Sequence, residues 1–507
     1  MQELKNADSE YGQQFRNLQI ELRERWHKVE GFDSGDCDII IIPSVSLDQQ
    51  EMQKVEGAYH YEERHLFSLI RLRNPRTRLI YITSQPLHPM IVDYYLQLLP
   101  GIPFSHARDR LFLFSTYDAS PKSLTQKILE RPRLMERICQ AVRPTKSYMV
   151  CYNSTPLERE LSVKLGIPLW ASDPDLLYWG TKSGSRQIFA ESGVPYPDGS
   201  ELVWNAADLA KAAAKLWERQ PHLQRMVIKL NEGFSGEGNA ILELKPIAYT
   251  APWERVKAIR DCFPHLRFQA TGETWANFSS RIPELGAIAE AFIEGSEKRS
   301  PSVQGRIVPS GEVEILSTHD QILGGPDGQI FLGCRFPADE SYRLELQELG
   351  RKIGHNLAEK GALEQFGIDY VAVRLEDGKW DIQAIEINLR KGGTTHPFMA
   401  LKLLTNGRYE RSTGSFYSQQ GRPKYYVASD NLKKECYRGL LPNDLMDIIA
   451  DNQLHFDSGT ETGTVFHLMG CLSEFGKLGL TSIGNSPQEA EEIYNKVVKV
   501  LDRETSC

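Results

Sequence analysis

The chain is poor in cysteine, in long apolar runs and in net positive charge, and each shortage argues against a class of protein. Its 507 residues hold eight scattered cysteines without a Cys-x-x-Cys pair, so neither a disulfide framework nor a zinc site is expected. No apolar window approaches the roughly 18 residues of a membrane span, and residues 1–8 lack the apolar core of a signal peptide. The net charge is −8, whereas proteins that bind nucleic acids usually carry an excess of basic residues. We therefore expect a cytoplasmic protein with reduced thiols and with neither membrane nor nucleic acid as a partner.

The first part of the chain predicts an open α/β domain of Rossmann-like type. Continuous apolar runs are typical of strands that are buried on both faces of a parallel sheet. Such runs occur at residues 38–42, 79–83, 111–114 and 148–151, and a charged amphipathic helix is predicted over residues 15–29. The first run leads into Pro43 and Ser44 without the Gly-x-Gly-x-x-Gly turn, so a dinucleotide site is not expected.

The most informative stretch is a predicted β-hairpin in the second half of the chain. Residues 369–373 and 384–390 alternate β-branched or aromatic residues with others, and a Glu-Asp-Gly turn at residues 376–378 joins them. The period-2 geometry of a strand places Glu386, Asn388 and Arg390 on one face.

Asp369 on the first strand of this hairpin can face the same polar group. Two carboxylates, an amide oxygen and an arginine together predict a hard-oxygen site for Mg²⁺ that carries a polyphosphate. The alternative is a polar sheet face that binds no ligand.

A second predicted hairpin lies upstream, with a glycine-rich loop at its tip. Residues 226–229 form a short strand, residues 231–240 hold several glycines, and residues 241–244 return as a strand. Glycines let backbone N–H groups approach a phosphate, and Lys229 at the root of the loop offers a point charge. No Gly-Lys-Ser/Thr follows, so this is not a Walker loop, and a hairpin without a ligand is the alternative.

Between the two hairpins, residues 287–297 predict an apolar strand that ends in acidic residues. Adenine can pair with the backbone of such a strand as it leaves the core, and a carboxylate there can accept hydrogen bonds from ribose hydroxyls. An ordinary turn at a strand end is the alternative.

This order of lysine, glycine hairpin, acidic strand and Asp…Glu-x-Asn-x-Arg resembles the ATP-grasp superfamily over roughly residues 175–400. Residues 181–186 and 189–197 match the segment in which the family carries its first lysine, here Lys182. The resemblance implies an α/β ATP-grasp fold and binding of ATP. The residues that would contact ATP are Lys182, Lys229, Glu232, Gly233, Ser235, Gly236, Gly238, Glu290, Ala291, Phe292, Ile293 and Glu297.

In this set the two lysines would contact the phosphates, Glu290 and its neighbours the adenine, and Glu297 the ribose. The resemblance also implies that Asp369, Glu386 and Asn388 hold two Mg²⁺ ions, with Mn²⁺ as an alternative metal. The interval from Asp369 to Glu386 is longer than is usual in the family, and a longer hairpin accounts for it.

Closer detail resembles the carboxylate–amine ligases of the pheganomycin type. The strings that carry this similarity are residues 299–304, 317–321, 333–337, 390–397 and 463–467. In such ligases ATP phosphorylates a carboxylate, and an amine then attacks the acyl phosphate. The family's arginine, here Arg390, faces the reacting carboxylate.

Other residues of these strings have a catalytic and a structural interpretation. Arg335 is a candidate second cation for the transferred phosphoryl group, with structural ion pairing as its alternative. His396 is a better candidate base than His319, although a lone histidine near a strand end is usually structural. Cys334 is interpreted as a buried thiol rather than a nucleophile.

The sequence thus predicts three units: an α/β domain over 1–175, an ATP-grasp catalytic unit over 176–407, and a small C-terminal α/β domain over 408–507. The catalytic unit divides into a nucleotide-binding part at about 182–295 and a metal-binding core at about 296–407. In the tail, Ser486 and Glu489 predict a capping box.

The predicted function is ATP-dependent joining of a carboxylate to an amine on amino acids or small peptides. A homo-oligomer is left open. Carboxylation or phosphotransfer on the same scaffold, and an ATP sensor without turnover, are the alternatives.

Overall fold

The computed structural model describes residues 2–26, 35–46, 56–99, 101–232, 238–270, 272–324, 328 and 330–506. Within these residues the strands form two four-stranded sheets, one nine-stranded sheet and one two-stranded sheet.

The first sheet is parallel, as the sequence predicts. Its strands are β1 Asp38–Ile42, β2 Arg78–Thr83, β3 Leu111–Ser115 and β4 Ser147–Cys151, in the order β3-β2-β1-β4. Every residue of β1 is buried, which explains its unbroken apolar run. The predicted helix at 15–29 belongs to a longer helix, Gln2–Trp26, and residues 27–29 lie outside the described residues.

The second sheet is antiparallel and carries the upstream hairpin. It consists of β5 Arg225–Leu230, β6 Asn239–Glu243, β7 Arg267–Phe268 and β8 Ala287–Ala291, in the order β7-β6-β5-β8. Lys229 pairs with Asn239 on one side and with Ile288 on the other, so β5 runs through the middle of the sheet. One face packs on the helix Ala206–Arg219.

The third sheet is the largest and carries the predicted metal-binding hairpin. In chain order its strands are β9 Lys298–Arg299, β10 Pro301–Ile307, β11 Val313–Gly324, β12 Ile330–Phe336, β13 Glu364–Arg374 and β14 Trp380–Asn388. A separate two-stranded ribbon, β15 Arg408–Glu410 and β16 Ser415–Tyr417, follows. The sheet is completed by β17 Tyr425–Lys433, β18 Gly463–His467 and β19 Lys477–Gly484.

The tail continues this sheet rather than forming one of its own. The strand order is β14-β13-β10-β11-β12-β17-β19-β18, with β9 beside β13, so β17 pairs directly with β12. No break in the described sheet marks the predicted boundary near residue 407, and the three-unit division stays a prediction.

Close packing explains one glycine of the core. The helix Arg343–Glu359 covers β10 and β11 and buries Leu346 and Ile353 against Phe366. A Cβ at Gly305 would lie 2.2 Å from the Phe366 ring, so only glycine fits beneath it.

Fifteen α-helices lie among the described residues. They are Gln2–Trp26, Pro89–Gln97, Phe104–Arg108, Leu124–Leu129, Pro132–Ala141, Pro156–Leu165, Lys182–Glu191, Ala206–Arg219, Arg255–Cys262, Trp275–Leu285, Arg343–Glu359, Thr395–Thr405, Pro442–Asp451, Leu472–Phe475 and Pro487–Glu504. A 3-10 helix, Ala58–Arg73, packs on the helix Thr395–Thr405.

The last helix begins as predicted, with one difference. The Ser486 hydroxyl accepts a hydrogen bond from the Glu489 amide at 3.1 Å, as an N-cap does. The Glu489 carboxylate accepts from the amide of Asn485 at 2.6 Å, not from that of Ser486. Glu489 therefore fixes the entry to the helix one residue earlier than a standard capping box.

Two further expectations can be compared with the structure. Among the described helices none has the length and apolar character needed to cross a bilayer. Six cysteines (37, 139, 151, 262, 334 and 471) are free thiols, as predicted, and Cys334 is buried. Cys436 is disulfide-bonded, and for that residue the expectation of reduced thiols was wrong. The cytoplasmic location stays a prediction.

Candidate active site

A cavity of about 560 Å³ lies where the second and third sheets face each other. The second sheet contributes Lys229 and Glu290, and the third sheet contributes Asp369, Glu386 and Asn388. Arg390, just after β14, also lines the cavity. The two predicted hairpins therefore meet at one site, as the sequence suggested.

The two carboxylates of the predicted metal site are direct neighbours across β13 and β14. Asp369 and Glu386 are register partners, next to a bulge that shifts the pairing at Tyr370. Asp369 accepts hydrogen bonds from Gln321 Nε2 at 2.6 Å and from Asn388 Nδ2 at 3.0 Å. Burial, followed by repulsion from Glu386, raises the pKa of Asp369 to about 6.

Lys182 brings a positive charge to this carboxylate pair. Its ammonium forms a buried ion pair with Glu386, and it stands at the first turn of the helix Lys182–Glu191. The Thr181 hydroxyl caps this helix by accepting from the Gly184 amide at 3.1 Å. The Ser185 hydroxyl accepts from the Ile387 amide at 3.0 Å, which fixes the helix on β14. The helix therefore sets the position of Lys182.

Arg390 completes the polar group. Its Nη2 donates to Asn388 Oδ1 at 2.7 Å, its Nη1 donates to the carbonyl of Lys391 at 3.1 Å, and its guanidinium lies 6.0 Å from the centroid of the Tyr152 ring. Asn388 thus joins Asp369 to Arg390 through both ends of its amide.

The donor set fits a hard divalent cation. Asp369 and Glu386 repel each other, and oxygen donors of this kind are the ligands that Mg²⁺ prefers. Among the described residues no third His, Cys, Asp or Glu joins them in a metal-binding group, so Asn388 would supply the further oxygen. Its Oδ1 accepts one hydrogen bond from Arg390, and the second lone pair of this amide oxygen is the one that a cation would use.

The second sheet holds a buried ion pair at the same cavity. The Lys229 ammonium contacts Glu290, whose other oxygen lies 3.2 Å from Arg186 Nη1. The side chains of Lys229 and Glu290 are only 6% and 3% exposed, so this is a buried ion pair, and removal of either partner would leave the other charge buried. Glu290 is thus the ion-pair partner of Lys229 at the cavity wall, and its contact with adenine stays a prediction.

Beyond Glu290 the chain leaves the second sheet along the cavity wall. Ala291, Phe292 and Ile293 line the cavity, and Lys298 lies 4.3 Å from the centroid of the Phe292 ring. Glu297 does not line it. Its carboxylate lies 3.4 Å from Arg374 Nη1 and is partly exposed.

The remaining predicted ATP contacts lie on the upstream hairpin. The Gly238 carbonyl accepts from the Leu230 amide at 2.9 Å, and Glu232 is exposed. Gly233, Ser235 and Gly236 lie outside the described residues.

Two predicted catalytic residues lie away from the cavity lining. Arg335 is half exposed, and its guanidinium donates to Glu491 at 3.1 and 3.2 Å, which is the structural ion pair that the sequence left as its alternative. The buried His396 ring packs against His467 with centroids 4.0 Å apart, and neither of its nitrogens has a hydrogen-bond partner among the described residues. Burial and His467 lower its pKa well below the usual range, so it is a poor base. Neither residue is part of the proposed site.

Sequence reasoning gave no role to three residues that hold the site together. Gln321 binds Asp369, Arg186 binds Glu290, and Asn231 Oδ1 accepts from the Ser183 amide at 2.8 Å. Gln321 and Arg186 lie within segments that carry the family resemblance, but their contacts depend on the order of strands in the sheets.

Comparison with known proteins finds two matching family models and a relative that aligns over almost the whole chain. A family model described as IQCH-like, ATP-grasp matches residues 176–263 and 262–411, and a model of the PGM1 C-terminal domain matches residues 444–497. The chain is 30% identical over 497 residues to the L-propargylglycine–L-glutamate ligase of Streptantibioticus cattleyicolor, and the alignment covers 94% of this chain and 96% of that protein.

Two further similarities are more distant. The chain is 23% identical over 548 positions to IQ motif-containing protein H of Danio rerio, of which it spans 50%. The crystal structure of N5-carboxyaminoimidazole ribonucleotide synthetase with ADP superposes with a TM-score of 0.51 at 12% identity, over 92% of this chain and 97% of that one. The last similarity shows a shared fold.

Proposed function

The chain belongs to the ATP-grasp family, and on that premise we propose that it is an ATP-dependent ligase that joins a carboxylate to an amine. The observation that carries the proposal is the convergence of Asp369, Glu386, Asn388 and Arg390 on one cavity, with Lys182 paired to Glu386 behind its wall. The relative from Streptantibioticus is named for two amino acids that it joins, which supports amino acids or small peptides as the substrates.

The chemistry requires activation of the carboxylate. A carboxylate does not condense with an amine in water, because its oxygen is a poor leaving group. Transfer of the γ-phosphoryl group of ATP turns that oxygen into a phosphate, which leaves readily. Lys182 and Lys229 would offset negative charge on the phosphates during the transfer.

Metal binding would occur at the carboxylate pair. Mg²⁺ bound by Asp369, Glu386 and Asn388 would neutralise charge on the β- and γ-phosphates. We propose two ions, with Mn²⁺ as an alternative. Lys182 then has two roles, since it also balances Glu386.

Arg390 would position the reacting group. Its planar guanidinium suits bidentate binding of a carboxylate, and it would hold the acyl phosphate after transfer. The amine nitrogen then forms a bond to the acyl carbon as the C–O bond to phosphate breaks. The phosphate takes the bonding electrons, and the nitrogen loses its proton.

ATP itself would lie along the second sheet. We propose that the backbone of Ala291, Phe292 and Ile293 receives the adenine, because these residues line the cavity where β8 ends. The glycine-rich tip of the upstream hairpin, with Gly233, Ser235 and Gly236, stays a predicted phosphate cover that would exclude water from the acyl phosphate.

The experiment that tests the proposal measures ADP and phosphate release with Mg-ATP. Pools of amino acids, dipeptides and small carboxylic acids are added, and the products are identified by mass spectrometry. We expect amine-dependent phosphate release and a product lighter by one water than its two substrates. Phosphate release that needs bicarbonate or an alcohol instead would favour carboxylation or phosphotransfer, and ATP that binds without turnover in every pool would favour a sensor.

A further inference from the structure

A second group of charged side chains lines the same cavity and comes from the two ends of the chain. Arg64 lies on the 3-10 helix near the N-terminus, Asp430 lies on β17, and Lys477 is the first residue of β19. All three line the cavity, together with Tyr61 and Tyr152. These five residues are called the Arg64 cluster below. The proposed ATP chemistry uses none of them.

Arg64 is buried in the cavity wall, and one of its N–H donors, Nε, has no acceptor among the described residues. Its Nη1 donates to Asp430 Oδ2 at 3.1 Å, and a further side-chain hydrogen bond joins it to Tyr152. Its guanidinium lies 4.3 Å from the Tyr61 ring centroid and 4.9 Å from that of Tyr152. The side chain is 8% exposed, and its Nε has no hydrogen-bond partner among the described residues. A guanidinium has five N–H donors, and a buried donor without an acceptor is costly. The arrangement is that of a binding group rather than of a saturated structural ion pair.

Lys477 adds a second buried cation to the cluster. Its ammonium bonds to the Tyr61 hydroxyl and lies 4.9 Å from the ring centroid. Lys477 is 7% exposed, and burial lowers its pKa although Asp430 opposes that effect. The cluster thus holds two cations and one carboxylate, and the Glu56 carboxylate that also lines the cavity is paired with Lys433. One positive charge is left in excess, and an anion would balance it.

The Arg64 cluster lies close to Arg390, the residue that is proposed to hold the acyl group. Tyr152 touches both regions: Arg64 is 4.9 Å from its ring centroid, and Arg390 is 6.0 Å from it. The two guanidinium carbons are therefore no farther apart than the sum of these distances. A molecule held by Arg64 can reach the acyl group held by Arg390 without leaving the cavity.

We propose that the Arg64 cluster binds the amine substrate, an α-amino acid held as its zwitterion. Arg64 and Lys477 bind its α-carboxylate, and the carboxylate of Asp430 binds its α-ammonium group. That group loses one proton to solvent before its nitrogen attacks the acyl carbon. This inference rests on the proposed ligase function, and it assigns the amine side of that reaction.

Two observations favour an amino acid over the other ligands that the Arg64 cluster could bind. The reacting carboxylate already has Arg390 and the metal-binding group at the β13–β14 hairpin, so it does not need a second arginine. A phosphate ligand would meet repulsion from Asp430, whereas a zwitterion matches cations and carboxylate together.

The test compares amino acids with amides of the same amino acids, which keep the amine and the side chain but lack the α-carboxylate charge. Phosphate release is measured with Mg-ATP and the carboxylate substrate, against the standard L-amino acids and against the corresponding L-amino acid amides. We expect the wild-type protein to use the amino acid and to show a KM for the amide that is at least about 10-fold higher, because buried donors are left unpaired.

Arg64→Met is expected to raise the KM for the amino acid by about 10- to 100-fold and to leave the KM for the amide and for ATP unchanged. Lys477→Met is measured in parallel, and it decides the question if Arg64→Met does not fold. The matched control is Lys434→Met, which removes the same charge one residue after β17 from a lysine that pairs with Asp502 outside the cavity lining. This control should behave like the wild-type protein.

The outcomes separate this inference from the function on which it rests. Equal use of amides and amino acids by the wild-type protein overturns the inference while the ligase function stands. The same holds if Arg64→Met and Lys477→Met raise only the KM of the carboxylate substrate. A wild-type protein that releases no phosphate with any amine overturns the ligase function and this inference with it.

Discussion

Asp369 and Glu386 face each other across two antiparallel strands, and each is held by groups of a different kind. Asp369 accepts from the amides of Gln321 and Asn388, whereas Glu386 is paired with the ammonium of Lys182. Burial, followed by the repulsion between the two carboxylates, raises the pKa of Asp369 to about 6. A cation bound between the two carboxylates would offset this repulsion.

The first prediction concerns this carboxylate pair. Glu386→Gln should lower ATP consumption by at least about 100-fold, because it removes a charged metal ligand and the partner of Lys182. Steady-state ADP release measures the effect, and circular dichroism checks that the fold survives. Glu376→Gln, on the exposed turn of the same hairpin, should retain wild-type activity. Full activity in Glu386→Gln would refute the metal assignment.

The second prediction separates two roles of Lys229. Lys229→Met should destabilise the fold by about 3 kcal/mol, because Glu290 is left buried with Arg186 alone, and should weaken ATP binding. The double variant Lys229→Met/Glu290→Gln should recover most of that stability but not the affinity for ATP. Urea unfolding and calorimetric titration with ATP give the two quantities. Wild-type affinity in the double variant would show that Lys229 is only a structural partner of Glu290.

The third prediction compares two arginines of the same charge. Arg390→Ala should reduce kcat by at least about 100-fold, because the reacting carboxylate loses its bidentate partner. Arg335→Ala should leave kcat unchanged and cost less than about 1 kcal/mol, because its pair with Glu491 is half exposed. Both values come from the phosphate-release assay and urea unfolding. A large loss of kcat in Arg335→Ala would restore the catalytic role that the structure does not support.

The fourth prediction concerns acid stability. His319 is buried, its Nε2 lies 2.7 Å from the Tyr426 hydroxyl, and burial lowers its pKa to about 3. The folded state therefore binds fewer protons than the unfolded state, and stability falls as the pH drops below the unfolded pKa of about 6.5. Between pH 7 and pH 5 the wild-type protein should lose about 2 kcal/mol more than His319→Gln does.

Urea unfolding at the two pH values measures this difference. His222→Gln, at an exposed position, is the control and should show the wild-type pH dependence. An identical loss in the wild-type protein and in His319→Gln would mean that His319 takes up a proton without unfolding.

Individual strands and hairpins could be predicted from the sequence because each follows a short-range pattern. The run Asp38–Ile42 is buried on both faces, as an unbroken apolar strand predicts, and the alternation around residues 376–378 gave the β13–β14 hairpin. Glu386 and Arg390 were placed with Asp369 for the same reason, since the period of a strand is set by local geometry.

The tertiary structure decided what lies between the elements. The order β13-β10-β11 brings Gln321 onto Asp369, and the pairing of β12 with β17 turns Arg335 towards Glu491. The Arg64 cluster joins residues that are more than 350 positions apart in the chain, as the 366-residue separation of Arg64 and Asp430 shows. A local pattern fixes which side chains share a face, but the burial of apolar faces against one another fixes which faces meet.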